Sequence, residues 1–324
     1  MHYKTETVVI GFFANIFKST GWKTDNKSLF LLIHTYLLME PPINTVLKDV
    51  LQKSLSDLEA ALDCDVLNYY GPIIDGNENE FLDIVEDLAK DPAKHEQLAI
   101  VLTTNGGSPM AVERYVNIVR KQYKKVIFIV PDYAYSAGTI FCMSGDDILM
   151  DYFSVLGPID PQVQNKEGKF VPALGYLDKV NELLQKAKKN ELTNAEFLIL
   201  KDFDLAELRL YEQAKELTID LLMKWLVHYK FKNWTTHKST GNPVTQQEKE
   251  KRAKEIAAEL GNNNKWKSHG RPINIEELNE LRLKIEDYSD NDAIRIPIRS
   301  YYRLVQNYAK AYKLQIFIQT RKFL

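Results

Sequence analysis

Hydrophobic positions along this chain keep two different periods. The continuous apolar runs Leu98-Ala99-Ile100-Val101-Leu102 and Val126-Ile127-Phe128-Ile129-Val130 predict strands buried on both faces. Asp65 to Tyr70 predicts another strand, ended by Gly71-Pro72, and Asp147 to Met150 a short one. Between them the spacing turns helical: Phe81, Ile84, Val85 and Leu88 share one face within 77–88, and helices are expected over 109–123 and 136–144. Ile43 to Leu62 has the same spacing after Pro41-Pro42, which makes 1–60 a helical N-terminal extension. Strand and helix alternate across 61–165, so this core is expected to be α/β, with a mostly parallel sheet and right-handed crossovers.

Beyond Asp160 long helices take over. One is predicted over 174–189 and another over 205–230, where Leu208, Tyr211, Leu217, Leu221 and Trp225 make a single stripe. Thr245-Gln246-Gln247-Glu248 is a capping box for a helix reaching Leu260, with Gly261 as its stop. A polar loop over 262–271 carries Trp266 and His269, and Asn274 caps a short helix to Leu281. The tail from Arg295 reads as a helix followed by a strand-like end, Leu314 to Ile318. The region 166–324 is therefore a helical C-terminal part, joined to the core without a low-complexity linker.

Composition narrows the possibilities. With 324 residues there is room for one large α/β domain and an appendage. A net charge of -2 gives nucleic acid no bulk attraction, and the basic runs 186–189 and 249–254 have acidic residues close by, as solvated helix faces do. The only two cysteines, Cys64 and Cys142, lie far apart, which argues against a disulfide framework or a zinc site; Cys142 reads as a small core residue. The longest apolar run, Leu29 to Met39, is shorter than the ~20 residues of a membrane span. The start, Met1 to Glu6, has no signal-peptide pattern, so a cytoplasmic protein without a transmembrane segment is expected.

Two successive βα units carry the candidate chemistry. The strand over 98–102 runs into Asn105-Gly106-Gly107-Ser108, and that over 126–130 runs through Pro131 into Tyr135-Ser136-Ala137-Gly138-Thr139. Open α/β sheets place their sites at this strand edge. A glycine turn can aim backbone N–H groups at a developing oxyanion, and Ser136 with small neighbours can approach a carbonyl. A serine after a strand is also an ordinary helix N-cap.

These two turns, followed by Gly157-Pro158-Ile159-Asp160-Pro161-Gln162, resemble the Clp-protease/crotonase superfamily. Within it the chain is most similar to the serine dehydrogenase proteinase family, a relative of Clp proteases and signal peptide peptidase A. The match is dense over 64–165, weaker at Trp266 to Pro272, and slight in the first 60 and last 30 residues. The resemblance implies a Clp/crotonase-like fold, a parallel sheet with ββα-type spiral units and helical additions. It also implies a serine peptidase that assembles as a homo-oligomer, acts on peptide or protein substrates and needs no metal or organic cofactor.

On this resemblance Ser136 is the nucleophile, Asp160 the orienting carboxylate, and Gly106, Gly107 and Ala137 line the oxyanion hole. The base must follow Asp160, where the histidines are His228, His237 and His269. His269, in Ser-His-Gly-Arg-Pro, is the first choice and His237 the second; His228 lies within an amphipathic helix. Arg271 and Trp266 flank His269, either to bind substrate or to anchor the loop. A Ser-Lys dyad is the rival, with Lys179 the best placed lysine and Lys186 and Lys188 behind it; such a base must be desolvated. Each residue also has a plain structural use: Asp160 can fix a turn, and His269 can bond to backbone. Acyl-CoA chemistry and a non-catalytic scaffold on the same fold are the further alternatives.

Overall fold

The computed structural model describes residues 42–164, 168, 170–237 and 239–324. The apolar run Leu29 to Met39 and the part of the helical extension before Pro42 lie outside the described residues. The chain divides into two compact units, Met1–Val50 and Leu51–Leu324. Helix α1 (Pro42–Leu62) begins in the first. The second spans residues 51–324 with no division at 165.

Its strands in chain order are β1 (Asp65–Tyr70), β2 (Gln97–Thr103), β3 (Lys125–Val130), β4 (Tyr133–Ala134), β5 (Asp147–Met150), β6 (Val155–Leu156), β7 (Gln162–Gln164), β8 (Phe170–Pro172), β9 (Glu286–Asp287) and β10 (Phe317–Gln319). Six form one sheet in the order β10-β1-β2-β3-β5-β9. All neighbours are parallel except β10, which runs antiparallel on β1. Period-two alternation sends Leu67, Ile100, Phe128 and Ile148 to one face. There they meet α2 (Glu78–Ala89), α3 (Pro109–Gln122) and α4 (Ala137–Cys142), with Cys142 fully buried among them. Val66, Val101, Ile129 and Leu149 face the other way, against the α1 stretch from Leu51 onward.

A second, fragmentary β layer lies beyond the strand ends. Ile73 bridges Gly107, Thr104 bridges Ala134, β4 pairs with β6, and Leu156 bridges Ile273. After each of β1, β2 and β3 the chain thus makes a short second β segment before its helix, which is the spiral ββα unit of a Clp/crotonase-like fold.

The helical additions are α5 (Ala173–Lys188), α6 (Asn194–Lys201), α7 (Leu205–Trp225), α8 (Gln246–Leu260), α9 (Asn263–Trp266), α10 (Ile275–Glu280) and α11 (Asp292–Tyr312). The helix expected over 205–230 changes character at its end, where Leu226–Lys230 widens into a π turn. The capping box at Thr245 forms as expected, while Gly261 ends α8 at an ordinary φ of -85°. The tail helix α11 packs Ile298, Tyr301 and Val305 on the α1 side of the sheet. Among the described residues no helix is long and apolar enough to cross a membrane.

Candidate active site

The two turns singled out in the sequence meet at one edge of the sheet. Thr104 N–H donates to Tyr133 O and Tyr135 N–H to Thr104 O, at 3.2 and 2.9 Å, so the segments after β2 and β3 are laced together. Gly106 then packs directly against the serine turn. A Cβ there would sit 2.8 Å from Ser136 Cβ and 3.1 Å from the Ala137 nitrogen, on a backbone with φ +99°. Only glycine serves where that approach and that φ coincide.

Ser136 itself is strained. Its φ of 52° and ψ of -115° lie where a residue with a Cβ rarely goes. Such a conformation costs about 1–3 kcal/mol and persists where the surroundings over-determine it. Ser136 immediately precedes α4, yet its side chain makes no capping hydrogen bond. The ordinary N-cap reading therefore fails, and the hydroxyl stays half-exposed at the strand edge.

The donors sort themselves. Gly106 N–H donates to Thr104 Oγ1 at 3.0 Å and so is engaged within the turn. Gly107 N–H and Ala137 N–H, the latter in the first turn of α4, find no acceptor among the described residues. Gly107 is pinned by the Ile73 bridge, in which Ser108 N–H donates to Ile73 O at 2.8 Å. Ser108 caps α3 and donates to Asp75 Oδ1 at 2.6 Å.

The other two triad candidates arrive through β6. Leu156 pairs with Ala134 on one side and with Ile273 on the other. It thereby joins the backbone leading to Ser136, the segment leading to Asp160 and the end of the His269 loop. Thr139 adds a tie that the sequence reading missed. Its Oγ1 lies 2.8 Å from both Ala134 O and Gly157 O and accepts Gly157 N–H at 3.0 Å. A threonine in a buried helix looks like core filling, and its one signal was the adjacency to Gly138.

Asp160 is buried, at 2 % exposure. Its Oδ1 accepts Leu174 N–H at 3.3 Å in the first turn of α5, while Oδ2 has no partner among the described residues. Burial pushes the carboxyl up to about 6, opposed by the Leu174 bond and reinforced by the Asp178 charge. His269 is half-buried, its Nδ1 shielded and unpartnered, and burial holds its basicity below the ordinary value. The β6 pairing links the segments that carry Ser136, Asp160 and His269, and no hydrogen bond joins the three side chains among the described residues.

The remaining candidates are occupied elsewhere. Lys179 is exposed on α5 and pairs with Glu182 at 2.9 Å, and Lys186 pairs with Glu196; neither has the dry surroundings that a lysine base requires. Lys188, in the last turn of α5, is exposed too. His237 Nε2 lies 3.1 Å from Glu248 Oε1, and His228 sits exposed in the π turn. Trp266 is a loop anchor, with Nε1 donating to Glu259 O at 2.7 Å, and Arg271 faces Glu277 at 3.6 Å.

A spiral α/β fold with a strained serine against a glycine turn defines the class of Clp-like serine hydrolases. Residues 79–312 match the family of ClpP-like SDH-type serine proteinases, and the chain belongs to that family. It is 26 % identical over 186 residues to the uncharacterized protein MJ1495 of Methanocaldococcus jannaschii, a match of 57 % of this chain and 51 % of that one. To MJ0137 of the same organism it is 33 % identical over 134 residues, 39 % and 45 % of the two chains. The chain thus spans about half the length of the curated relatives it matches. Among solved structures it is similar to a mutant of the membrane-bound stomatin-specific protease 1510-N, with 23 % identity, TM-score 0.29, and 43 % and 70 % of the chains covered. It is also similar to a mutant of ClpP1 from Listeria monocytogenes, with 11 % identity, TM-score 0.35, and 73 % and 99 % covered.

Proposed function

We propose that this member of the ClpP-like serine proteinases hydrolyses peptide bonds through a Ser136–His269–Asp160 triad. Ser136 Oγ attacks the scissile carbonyl, and His269 takes the hydroxyl proton and returns it to the leaving amine. Asp160 holds the imidazole and balances its charge. The N–H groups of Gly107 and Ala137 receive the oxyanion. The observation that carries this reading is the strained, uncapped Ser136 packed against Gly106, an arrangement with a cost and no structural return.

Asp160 Oδ2 and His269 Nδ1 are the acceptor and donor that the triad needs, and both lack partners in this state. Catalytic hydrogen bonds commonly tighten only once substrate is bound. Pairing them would satisfy both groups together and pull the Asp160 carboxyl back toward its ordinary value.

Intact-mass labelling with a fluorophosphonate tests the assignment. Wild type should take a single adduct, Ser136→Ala none, and Lys179→Ala the wild-type amount. His269→Ala should slow labelling by about a hundredfold or more, the scale of a lost general base. No adduct on the folded wild-type chain would instead favour a scaffold, and unchanged labelling of His269→Ala would remove the histidine from the mechanism.

A further inference from the structure

Behind Asp160 lies a cavity of about 330 Å³ between α5, α7 and the end of α8. Ile159 and Pro161, the two neighbours of Asp160, form one wall together with Leu174, whose N–H holds the carboxylate. Ile219 and Ala257 extend that apolar surface. The opposite rim is Asn262 to Asn264, the entry into α9 and so into the His269 loop. The cavity therefore touches both segments that must adjust for Asp160 and His269 to bond.

Its charges are also arranged. Asp178 and Lys215 line it from different helices, α5 and α7, and do not pair with each other. Asp178 accepts only the Asn264 amide at 3.2 Å, and Lys215 has no ion pair among the described residues. A carboxylate and an ammonium, both on exposed residues, beside the apolar wall of Ile159, Leu174, Ile219 and Ala257 fit a small molecule carrying ammonium, carboxylate and an apolar side chain. The volume is at the lower end for small-ligand pockets.

We infer that this cavity is an effector site for a zwitterion with an apolar side chain, a free amino acid or a very short peptide. Its occupancy repositions the Asp160 and His269 segments. Peptide hydrolysis creates both termini, whereas an internal stretch of substrate has neither, so the site would sense product rather than substrate. The coupling half of this inference rests on the proposed roles of Asp160 and His269.

Calorimetric titration of the full Ser136→Ala chain with L-leucine, leucyl-leucine, N-acetyl-leucine and leucinamide tests binding without turnover. At least one zwitterion should bind at millimolar concentration or tighter, and the choice between leucine and the dipeptide identifies the source. Capping either terminus, or substituting Asp178→Asn or Lys215→Met, should weaken binding by about tenfold or more. In the same protein, ligand should move the His269 NMR titration midpoint by about half a unit or more, with His269→Gln used for assignment. No binding by either zwitterion, equal binding of the capped analogues, or binding that survives both substitutions would overturn the site. Binding with an unmoved His269 would overturn the coupling. Wild type that binds the zwitterion yet never labels at Ser136 would sink the peptidase reading and leave the pocket standing.

Discussion

Asp160 is where structural and catalytic explanations separate most cleanly. Its acidity is weakened to about 6 by burial, against 3.8 for the ordinary side chain. A folded-state pKa above the unfolded one means that the native chain holds the proton longer. The contribution to stability is then fully present below about 3.8 and lost as pH rises through about 6. At neutral pH the ionised, half-satisfied carboxylate costs on the order of 2–3 kcal/mol. Asp160→Asn keeps an oxygen for Leu174 N–H and removes the charge. Denaturant unfolding should show this variant more stable than wild type by about 2 kcal/mol at neutral pH, with the difference shrinking as pH falls below about 6 and gone below about 3.8. Fluorophosphonate labelling should fall at the same time. A variant destabilised at neutral pH would mean that the carboxylate is already paired in the resting state, and unchanged labelling would reduce Asp160 to a helix cap.

At the scale of elements, the tie that aligns the site is Thr139. Its single hydroxyl reaches from α4 to both β4 and the Gly157 segment, so three pieces of backbone share one side chain. Thr139→Val keeps the shape but removes the acceptor of Gly157 N–H and the single donor shared by the Ala134 and Gly157 carbonyls. The expected loss is about 2–3 kcal/mol in chemical denaturation, with slower labelling because Gly157 leads directly to Asp160. Thr139→Ser should restore both; if valine costs nothing, the tie is ornamental. Elements like this mark the boundary of what the sequence discloses. The strands over 98–102 and 126–130 were readable because burial on both faces leaves an apolar run with few other interpretations, and 65–70 was readable from its alternation and the Gly71-Pro72 stop. The Thr245 and Asn274 caps were readable because capping is local chemistry. Segments β4, β6, β7 and β8 were not, since two or three residues set no period and their pairing comes from the fold. Helix α6 escaped because it buries no residue and so leaves no stripe. Ser136 stood out through its small neighbours, but its strain and the occupied Gly106 N–H depend on contacts between distant parts of the chain.

At the scale of the whole molecule, helix α6 presents an apolar surface that the described residues leave uncovered. Helix α6 is a well-defined element, held by a capping box at Thr193 and by Lys186 on Glu196 at 2.6 Å. Yet Phe197, Leu198 and Ile199 are each more than half exposed, and Leu205 at the start of α7 is 81 % exposed. Three consecutive large apolar residues in water are a liability for a lone chain, and burying them is worth roughly 1.5–3 kcal/mol each. The family resemblance predicts a homo-oligomer, and α6 is expected to be a contact between copies. The double substitution Phe197→Glu and Leu198→Glu touches nothing that holds α6 together. It should lower the mass seen by light scattering after size exclusion, while the circular dichroism of the chain stays unchanged. If wild type is already monomeric at micromolar concentration, or if the charged variant keeps the full mass, α6 is not that contact. A smaller assembly that still labels at Ser136 would further show that each subunit carries a complete site, so that assembly governs access to the serine and not its chemistry.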